Sequence, residues 1–309
     1  MHRPDATHRW RGHNGVMIAG DMWGDPDGPL VVLQHGGGQT RHAWKGAGEA
    51  LGRSGYHAVS IDTRGHGDSD WAADGDYSTD AMVEDLACLV EALGNRRPVL
   101  VGASMGGGTS LAAVGEGVVD ALALVLVDIA PHMDPAGVDK IRSFMTQAPQ
   151  GFSSLDEAAA AIASYQPHRR RPPSNDGLLK NLRLGEDGRY RWHWDPLVVS
   201  QQPDLAKREE RLDACARAVT IPTLLVRGAL SDVLTEEGVT RFRELCPHAE
   251  YVNVSGAAHM VAGDRNDVFA ASVIDFLGRR VAFDPAAEGT SGQAVHGHPS
   301  HIDPIVDVP

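Results

Sequence analysis

Short apolar runs recur along the chain and predict the strands of a buried sheet. The run Leu30-Val31-Val32-Leu33 is apolar at every position, as is typical of a parallel strand that is covered on both faces. A strand with one solvent-facing side would alternate between apolar and polar residues instead. The segments that we interpret as strands are 16–22, 30–34, 57–61, 98–101, 121–127, 223–227 and 249–254.

Apolar residues at helical spacing separate most of these strands. In segment 78–93, Met82, Leu86 and Leu89 share one face, and Ser78 is a candidate N-cap. Strands that alternate with helices at this pace predict an α/β fold with a right-handed, mostly parallel central sheet flanked by helices. The other helices predicted in this part of the pattern are 43–54, 105–114, 235–245 and 266–277.

The alternation stops between residues 132 and 218. This segment contains helical pieces at 136–145 and 155–165 and a Pro-broken basic loop at 168–173, but no strand as convincing as those before it. We interpret 132–218 as a helical cap that is inserted over one end of the sheet. The α/β core is then formed by residues 1–131 and 219–280.

The last segment, 281–309, has a composition unlike the rest of the chain. It contains four prolines, four acidic residues and no basic residue, without sustained periodicity. This composition predicts a disordered or loosely packed tail. We interpret His296, His298 and His301 as part of that solvated tail rather than as metal ligands.

Composition and charge favour a soluble protein that does not bind nucleic acids or membranes. The chain of 309 residues is 42% hydrophobic and 22% charged, which is ordinary for a soluble globular protein, and no stretch approaches the ~20 apolar residues of a membrane span. The first ten residues lack the apolar core of a secretory signal, so a cytoplasmic location is predicted. A formal charge of −13 disfavours nucleic acids and anionic membranes as partners. The three cysteines are far apart and are interpreted as reduced thiols.

A serine stands at the junction between an apolar run and a small-residue helix. The sequence of residues 99–108 is Val-Leu-Val-Gly-Ala-Ser-Met-Gly-Gly-Gly, and Gly102 and Gly106 fit the G-x-S-x-G spacing of a sharp strand-to-helix turn. Ser104 is therefore a candidate nucleophile, and the N–H of Met105 would point at a developing oxyanion. The alternative is an ordinary Gly/Ser loop.

A nucleophilic serine needs a base and an acid that orients the base. His259 follows the last predicted strand and is the candidate base. For the acid we favour Asp232, which follows strand 223–227, over Asp128, which would then hydrogen-bond loop amides. Asp62 and Asp68 stand in a Gly-rich loop and are expected to tie that turn together.

The loop after strand 30–34 is expected to supply the second oxyanion donor. Gly37 is the candidate, although three consecutive glycines could also form a flexible turn or a phosphate nest. No G-x-x-x-x-G-K-[ST] pattern accompanies them, which disfavours nucleotide binding. Trp192 and Trp194 either pin the cap onto the sheet or line an apolar acyl or alcohol pocket. Residues 169–171 are expected to form a solvated basic turn rather than a substrate clamp.

Five motifs together resemble the α/β-hydrolase superfamily over about residues 15–280. They are His35-Gly-Gly-Gly, Asp62-x-Arg-Gly-His-Gly-x-Ser69, Gly102-x-Ser-x-Gly106, Asp232 at the end of its strand, and Gly256-x-x-His259. The elbow Ser-Met-Gly-Gly resembles the esterase and cofactor-free haloperoxidase branch. The likeness extends to epoxide hydrolases, but those carry an aspartate where this chain has Ser104.

The resemblance implies a serine hydrolase of small to medium apolar carboxylic esters that acts through an acyl-enzyme. Ser104, His259 and Asp232 would form the triad, with Gly37 and Met105 at the oxyanion and neither cofactor nor metal. A lactonase or perhydrolase with the same triad is the first alternative. An epoxide hydrolase-like enzyme or a non-catalytic small-molecule receptor is less favoured, and the oligomeric state stays open.

Overall fold

The computed structural model describes residues 8–167, 169, 174–200 and 204–281. Its centre is a sheet of eight strands in the order β1-β2-β4-β3-β5-β6-β9-β10. The pairings from β4 to β10 are parallel, whereas β1 and β2 are added antiparallel at one edge. The strands are β1 (His8–Arg11), β2 (Met17–Trp23), β3 (Leu30–Gln34), β4 (His57–Ile61), β5 (Val99–Ala103), β6 (Ala123–Val127), β9 (Thr223–Gly228) and β10 (Glu250–Val254).

Helices cover both faces of this sheet. One face packs against α2 (Thr79–Ala92), α3 (Met105–Gly115), α7 (Leu205–Ala218) and α8 (Glu236–Leu245). The other face packs against α1 (Lys45–Arg53), α9 (Val261–Asp264) and α10 (Asn266–Arg280). Val32 faces the first layer and Val31 the second, and both are fully buried. Burial of each such side chain contributes about 1.5–3 kcal/mol, which explains why the central strands are apolar at successive positions.

The segment between β6 and β9 holds the remaining elements. These are α4 (Pro135–Thr146), α5 (Leu155–Tyr165), the antiparallel pair β7 (Leu182–Leu184) and β8 (Tyr190–Trp192), α6 (Pro196–Ser200) and α7. A short 3₁₀ turn, Asp176–Lys180, precedes β7. Phe152 and Leu182 form a small apolar cluster of their own, whereas Leu212 and Cys215 of α7 belong to the core beneath the sheet.

The α/β class predicted from the sequence is confirmed. The predicted bounds of β3, β4 and α5 agree with the structure, and Ser78 caps α2 by accepting the Ala81 N–H at 3.2 Å. The pattern missed β1, because its sequence His-Arg-Trp-Arg is polar and it lies at the antiparallel edge. It also missed the β7–β8 pair, whose strands of three residues are too short to show a period.

The structure also gives the state of the cysteines, the character of the helices and the extent of the described chain. Cys88 and Cys215 lie on helices, and all three cysteines are free. In the part of the chain that the structure describes, no helix combines the length and the apolar character needed to span a lipid bilayer. The predicted tail lies outside the described residues beyond residue 281, and so do residues 170 and 171 of the basic turn.

Candidate active site

The parallel strands bring several polar side chains to one edge of the sheet. The carboxyl ends of β5 and β6 are paired at Ala103 and Val127, and those of β9 and β10 at Gly228 and Val254. The loops that follow these strands therefore lie side by side, at the edge where ligands bind in open α/β sheets.

Ser104 occupies the turn between β5 and α3 in a strained conformation. Its φ of 47° and ψ of −111° lie outside the regions that side chains ordinarily adopt. A Cβ at Gly106 would lie 2.6 Å from the carbonyl oxygen of Gln34, and one at Gly102 would overlap the backbone of Gly106. The sharp elbow predicted from the glycine spacing is thus present, and it places the Ser104 side chain at the edge of the sheet, between β5 and α3.

His259 is held by a buried carboxylate. Its Nδ1 lies 2.7 Å from Oδ2 of Asp128, and the side chains of His259 and Asp128 are 12% and 0% exposed. A carboxylate only accepts, so Nδ1–H donates to Asp128, and in the neutral imidazole Nε2 is then the nitrogen that can accept a proton from a hydroxyl. Ser104 and His259 line the same cavity.

The expected partner of His259 was Asp232, and the structure corrects it to Asp128. The Asp232 carboxylate lies 2.6 Å from Nζ of Lys140 and is 50% exposed. Its backbone packs closely against Gly137 at the start of α4, where a Cβ would overlap the Asp232 carbonyl. Asp232 therefore joins the β9–α8 loop to α4, and it does not hydrogen-bond His259.

Ser231 supports the Asp128 carboxylate, and sequence reasoning missed it. Its Oγ donates to Asp128 Oδ2 at 2.5 Å and accepts the N–H groups of Val233 and Leu234, each at 3.2 Å. Oδ1 of Asp128 accepts the Gly228 N–H at 2.9 Å. With His259, three donors therefore converge on this one carboxylate, which offsets the cost of its burial.

The glycine loop after β3 faces Ser104. A Cβ at Gly36 would lie 3.2 Å from Cβ of Ser104. The Gly36 N–H donates to Gln39 Oε1 at 3.1 Å, and the Gly38 N–H donates to His66 Nε2 at 3.2 Å. Both flanking amides are thus engaged, and Gly37 lies between them on the cavity wall. Met105 is the first residue of α3, so its N–H belongs to those that a helix leaves without an internal acceptor.

Three buried imidazoles, which we call the histidine column, support this loop. The rings of His35 and His66 are 5.1 Å apart, and those of His66 and His193 are 5.8 Å apart. Burial lowers the pKa of His35 to about 4 and that of His66 to about 3, and it also lowers the pKa of His193. Each ring accepts one backbone N–H group: His35 Nε2 that of Thr63, His66 Nε2 that of Gly38, and His193 Nδ1 that of Gly67. These bonds require neutral rings.

The Gly-rich loop after β4 has the structural role predicted for its aspartates. Asp62 accepts the N–H groups of Arg41 at 2.6 Å and Asp68 at 2.8 Å. The Arg41 guanidinium is buried and contacts Asp21, Asp62 and Asp68 at 2.5–2.9 Å. This network fixes the loop that carries His66.

A cavity of about 400 Å³ lies between the sheet edge and the β6–β9 segment. Ser104, His259 and the glycine loop line it, and apolar side chains such as Ile141, Phe144 and Ile162 form its apolar wall. Phe144 stacks on Tyr165 with ring centroids 4.2 Å apart. A ligand with an apolar portion would fit such a wall.

The two cap tryptophans have different positions. Trp192 lines the cavity as expected. Trp194 does not: it is 4% exposed and stacks behind Trp192 with ring centroids 4.9 Å apart. Of the two roles considered for Trp194, its burial and its stacking on Trp192 support packing within the fold rather than a place in the cavity wall. Arg169 also departs from expectation, since it lines the cavity and its Nε donates to Asp264 Oδ1 at 2.5 Å.

A parallel sheet with a serine elbow after β5, an aspartate after β6 and a histidine after β10 is the arrangement of the α/β hydrolases. Comparison with known families gives the same class. The model of the alpha/beta hydrolase fold family matches residues 29–265. The chain belongs to this family.

Several characterised relatives span most of the chain. An esterase of Mycobacterium tuberculosis is 29% identical over 256 residues, which are 80% of this chain and 82% of the relative. A 3-hydroxybutyrate-oligomer hydrolase of Cupriavidus necator is 29% identical over 271 residues, which are 83% of this chain and 88% of the relative. The crystal structure of E-2-(acetamidomethylene)succinate hydrolase superposes with a TM-score of 0.77 at 22% identity, covering 89% of this chain and all of the other.

Proposed function

We propose that this protein hydrolyses carboxylic esters, with Ser104 as nucleophile, His259 as base and Asp128 as the acid that orients His259. The observation that carries the proposal is the 2.7 Å contact between His259 Nδ1 and a fully buried Asp128, beside a serine held at φ 47° in the same cavity. The relative from Mycobacterium tuberculosis, which is an esterase, supports the substrate class.

The proposed reaction has two halves. The Ser104 hydroxyl adds to the ester carbonyl while His259 Nε2 takes its proton, and the N–H groups of Gly37 and Met105 stabilise the oxyanion. The C–O bond to the alcohol then breaks, and His259 returns the proton to the departing alcohol. Water, deprotonated by His259, adds to the acyl-enzyme; the C–O bond to Ser104 Oγ then breaks, His259 returns the proton to Oγ, and the acid is released.

The sequence-based division into a core of residues 1–131 and 219–280 and a cap of residues 132–218 is kept in this proposal with one change. Helix α7 packs against the sheet, so the cap that determines which substrates fit is the part of 132–218 that precedes α7. The apolar wall and the cavity volume of about 400 Å³ support an apolar acyl or alcohol group of small to medium size. A lactonase or a perhydrolase would use the same groups, and the cytoplasmic location remains a prediction from the sequence.

Covalent labelling tests the proposal. The protein is incubated with a p-nitrophenyl alkylphosphonate, digested and examined by mass spectrometry, and ester hydrolysis is followed with p-nitrophenyl acyl esters and a set of lactones. We expect the label on Ser104 and loss of turnover in Ser104→Ala, because an elbow that accepts serine also accepts alanine. Ser54→Ala, at the exposed end of α1, is the matched control. Label on another residue, or full activity of Ser104→Ala, would contradict the assignment.

A further inference from the structure

The charged side chains that line the cavity are opposite in sign to the net charge of the chain. The protein carries 41 acidic and 28 basic residues and a net charge of −13. Yet among the described residues that line the cavity there is no aspartate or glutamate, whereas two cations, Arg169 and Lys180, are present. Cations without carboxylates in the cavity lining are electrostatically complementary to a negatively charged ligand.

Arg169 is only partly neutralised. Its Nε donates to Asp264 Oδ1 at 2.5 Å, so one carboxylate lies against the guanidinium. The same guanidinium has a second nitrogen, Nη2, that is buried without a hydrogen-bond partner among the described residues. A buried donor left in this way costs about 1–3 kcal/mol, and an acceptor supplied by a ligand would offset this cost.

Lys180 has no carboxylate partner within the part of the chain that the structure describes. It ends the 3₁₀ turn before β7 and lines the cavity. Burial lowers its pKa, and the neighbouring charges of Arg169 and Lys45 act in the same direction. An ammonium group in such a place is destabilised by its neighbours, and an anion bound beside it would remove that repulsion.

We propose that the natural substrate is an ester that also carries a carboxylate, and that Lys180, together with Arg169, binds this carboxylate while Ser104 attacks the ester. The inference rests on the proposed function and specifies its substrate class. The apolar wall of Ile141, Phe144 and Trp192 lies in the same cavity, so the substrate has an apolar spacer between its ester and its carboxylate. The carboxylate belongs either to the acyl group or to the alcohol group.

Paired substrates distinguish these two arrangements. For the acyl side, p-nitrophenyl monoesters of succinic, glutaric, adipic and suberic acid are each compared with the ester whose free carboxylate is replaced by a primary carboxamide. For the alcohol side, 4-carboxyphenyl acyl esters are compared with their 4-carbamoylphenyl counterparts. The measured quantity is the ratio of kcat/KM for the acidic ester to kcat/KM for its neutral partner.

We expect the wild-type protein to prefer the acidic ester in one series, and the preference to shrink as salt is added. Lys180→Gln should lower the ratio about ten- to a hundredfold, the range of one hydrogen bond between charged groups. Lys180→Arg should restore most of it, and Lys180→Glu should favour the neutral ester. Lys207→Gln, whose side chain is 83% exposed on α7, is the matched control and should leave the ratio unchanged. Circular dichroism and thermal unfolding confirm that each variant is folded.

Two outcomes would overturn the inference and leave the proposed function intact. One is hydrolysis of neutral esters with no preference for an acidic partner in either series. The other is a preference that Lys180→Gln and Lys180→Glu do not change. Failure of every ester, with no phosphonate on Ser104, would instead overturn the proposed function itself.

Discussion

Replacement of Asp128 by asparagine tests the most specific feature of the site. Asp128 directly follows β6 and has a φ of 52°, a left-handed conformation that Asp and Asn both tolerate. The substitution therefore keeps the backbone and the size of the side chain. It changes the charge and one of the two acceptor atoms.

The expected effect follows from the three donors that the carboxylate accepts. Oδ2 accepts Ser231 Oγ–H and His259 Nδ1–H, and Oδ1 accepts the Gly228 N–H. Asparagine has one oxygen, so an NH₂ group must face either His259 or the Gly228 N–H. Facing His259, it favours the tautomer with a proton on Nε2, which cannot take one from Ser104. The same exchange lowers turnover about 10⁴-fold in a serine protease, and we expect a loss of about 10³- to 10⁴-fold here. A lost bond to a buried charge also costs about 1.5–3 kcal/mol of stability.

The assay is kcat on a p-nitrophenyl ester, with urea unfolding of the same samples. Asp232→Asn is the matched control, because the Asp232 carboxylate is half exposed and paired with Lys140. Such surface pairs contribute about 0–1 kcal/mol, so this variant should change kcat less than tenfold. If Asp232→Asn loses as much activity as Asp128→Asn, or if Asp128→Asn stays within tenfold of wild type, the assignment of Asp128 is wrong.

Two further predictions concern groups that hold the site in place. Ser231→Ala removes a donor to Asp128 and should lower kcat about tenfold, with Ser231→Thr restoring it in the same ester assay; equal activity of all three proteins would refute this positioning role. Burial holds the pKa of His35 at about 4 and of His66 at about 3, below the ordinary value near 6.5 that applies in the unfolded chain, so unfolded molecules take up protons first as the pH falls. The free energy of unfolding should therefore be fully retained above about pH 6.5 and should decrease below it, toward pH 4, by up to about 1.4 kcal/mol per pH unit for each histidine of the column. Urea unfolding at pH 7 and pH 5 measures this loss. His193→Gln removes one histidine of the column and should reduce the loss between the two pH values; a loss as large as in the wild-type protein would contradict the prediction.

The sequence predicts those parts of the fold whose local pattern has a single physical cause. β3 is apolar at four successive positions because helices cover both sides of it, and its bounds are recovered without error. The turn at Ser104 is also predictable, since Gly102 and Gly106 stand where a side chain would overlap neighbouring backbone. Neither inference needs knowledge of distant contacts.

Elements that depend on distant contacts gave no such signal. β1 is polar and gains its structure from pairing with β2. The histidine column joins His35, His66 and His193 from three separated parts of the chain. In the sequence each is one histidine among fifteen, and only packing shows that all three are buried and neutral.

The choice between Asp128 and Asp232 shows where sequence reasoning ends. Both follow a buried parallel strand, so topology brings both to the same edge of the sheet. The difference is the direction of the chain after each strand: Asp128 turns immediately, at φ 52°, and its carboxylate is fully buried beside His259. After β9 the chain first passes Ser231, whose hydroxyl donates to Asp128. Asp232 comes next and lies beside α4, where Lys140 pairs with its carboxylate. A carboxylate that solvent and an ammonium group already satisfy gains little from an imidazole, whereas a buried one depends on it. Burial, which spacing alone does not reveal, therefore selects Asp128.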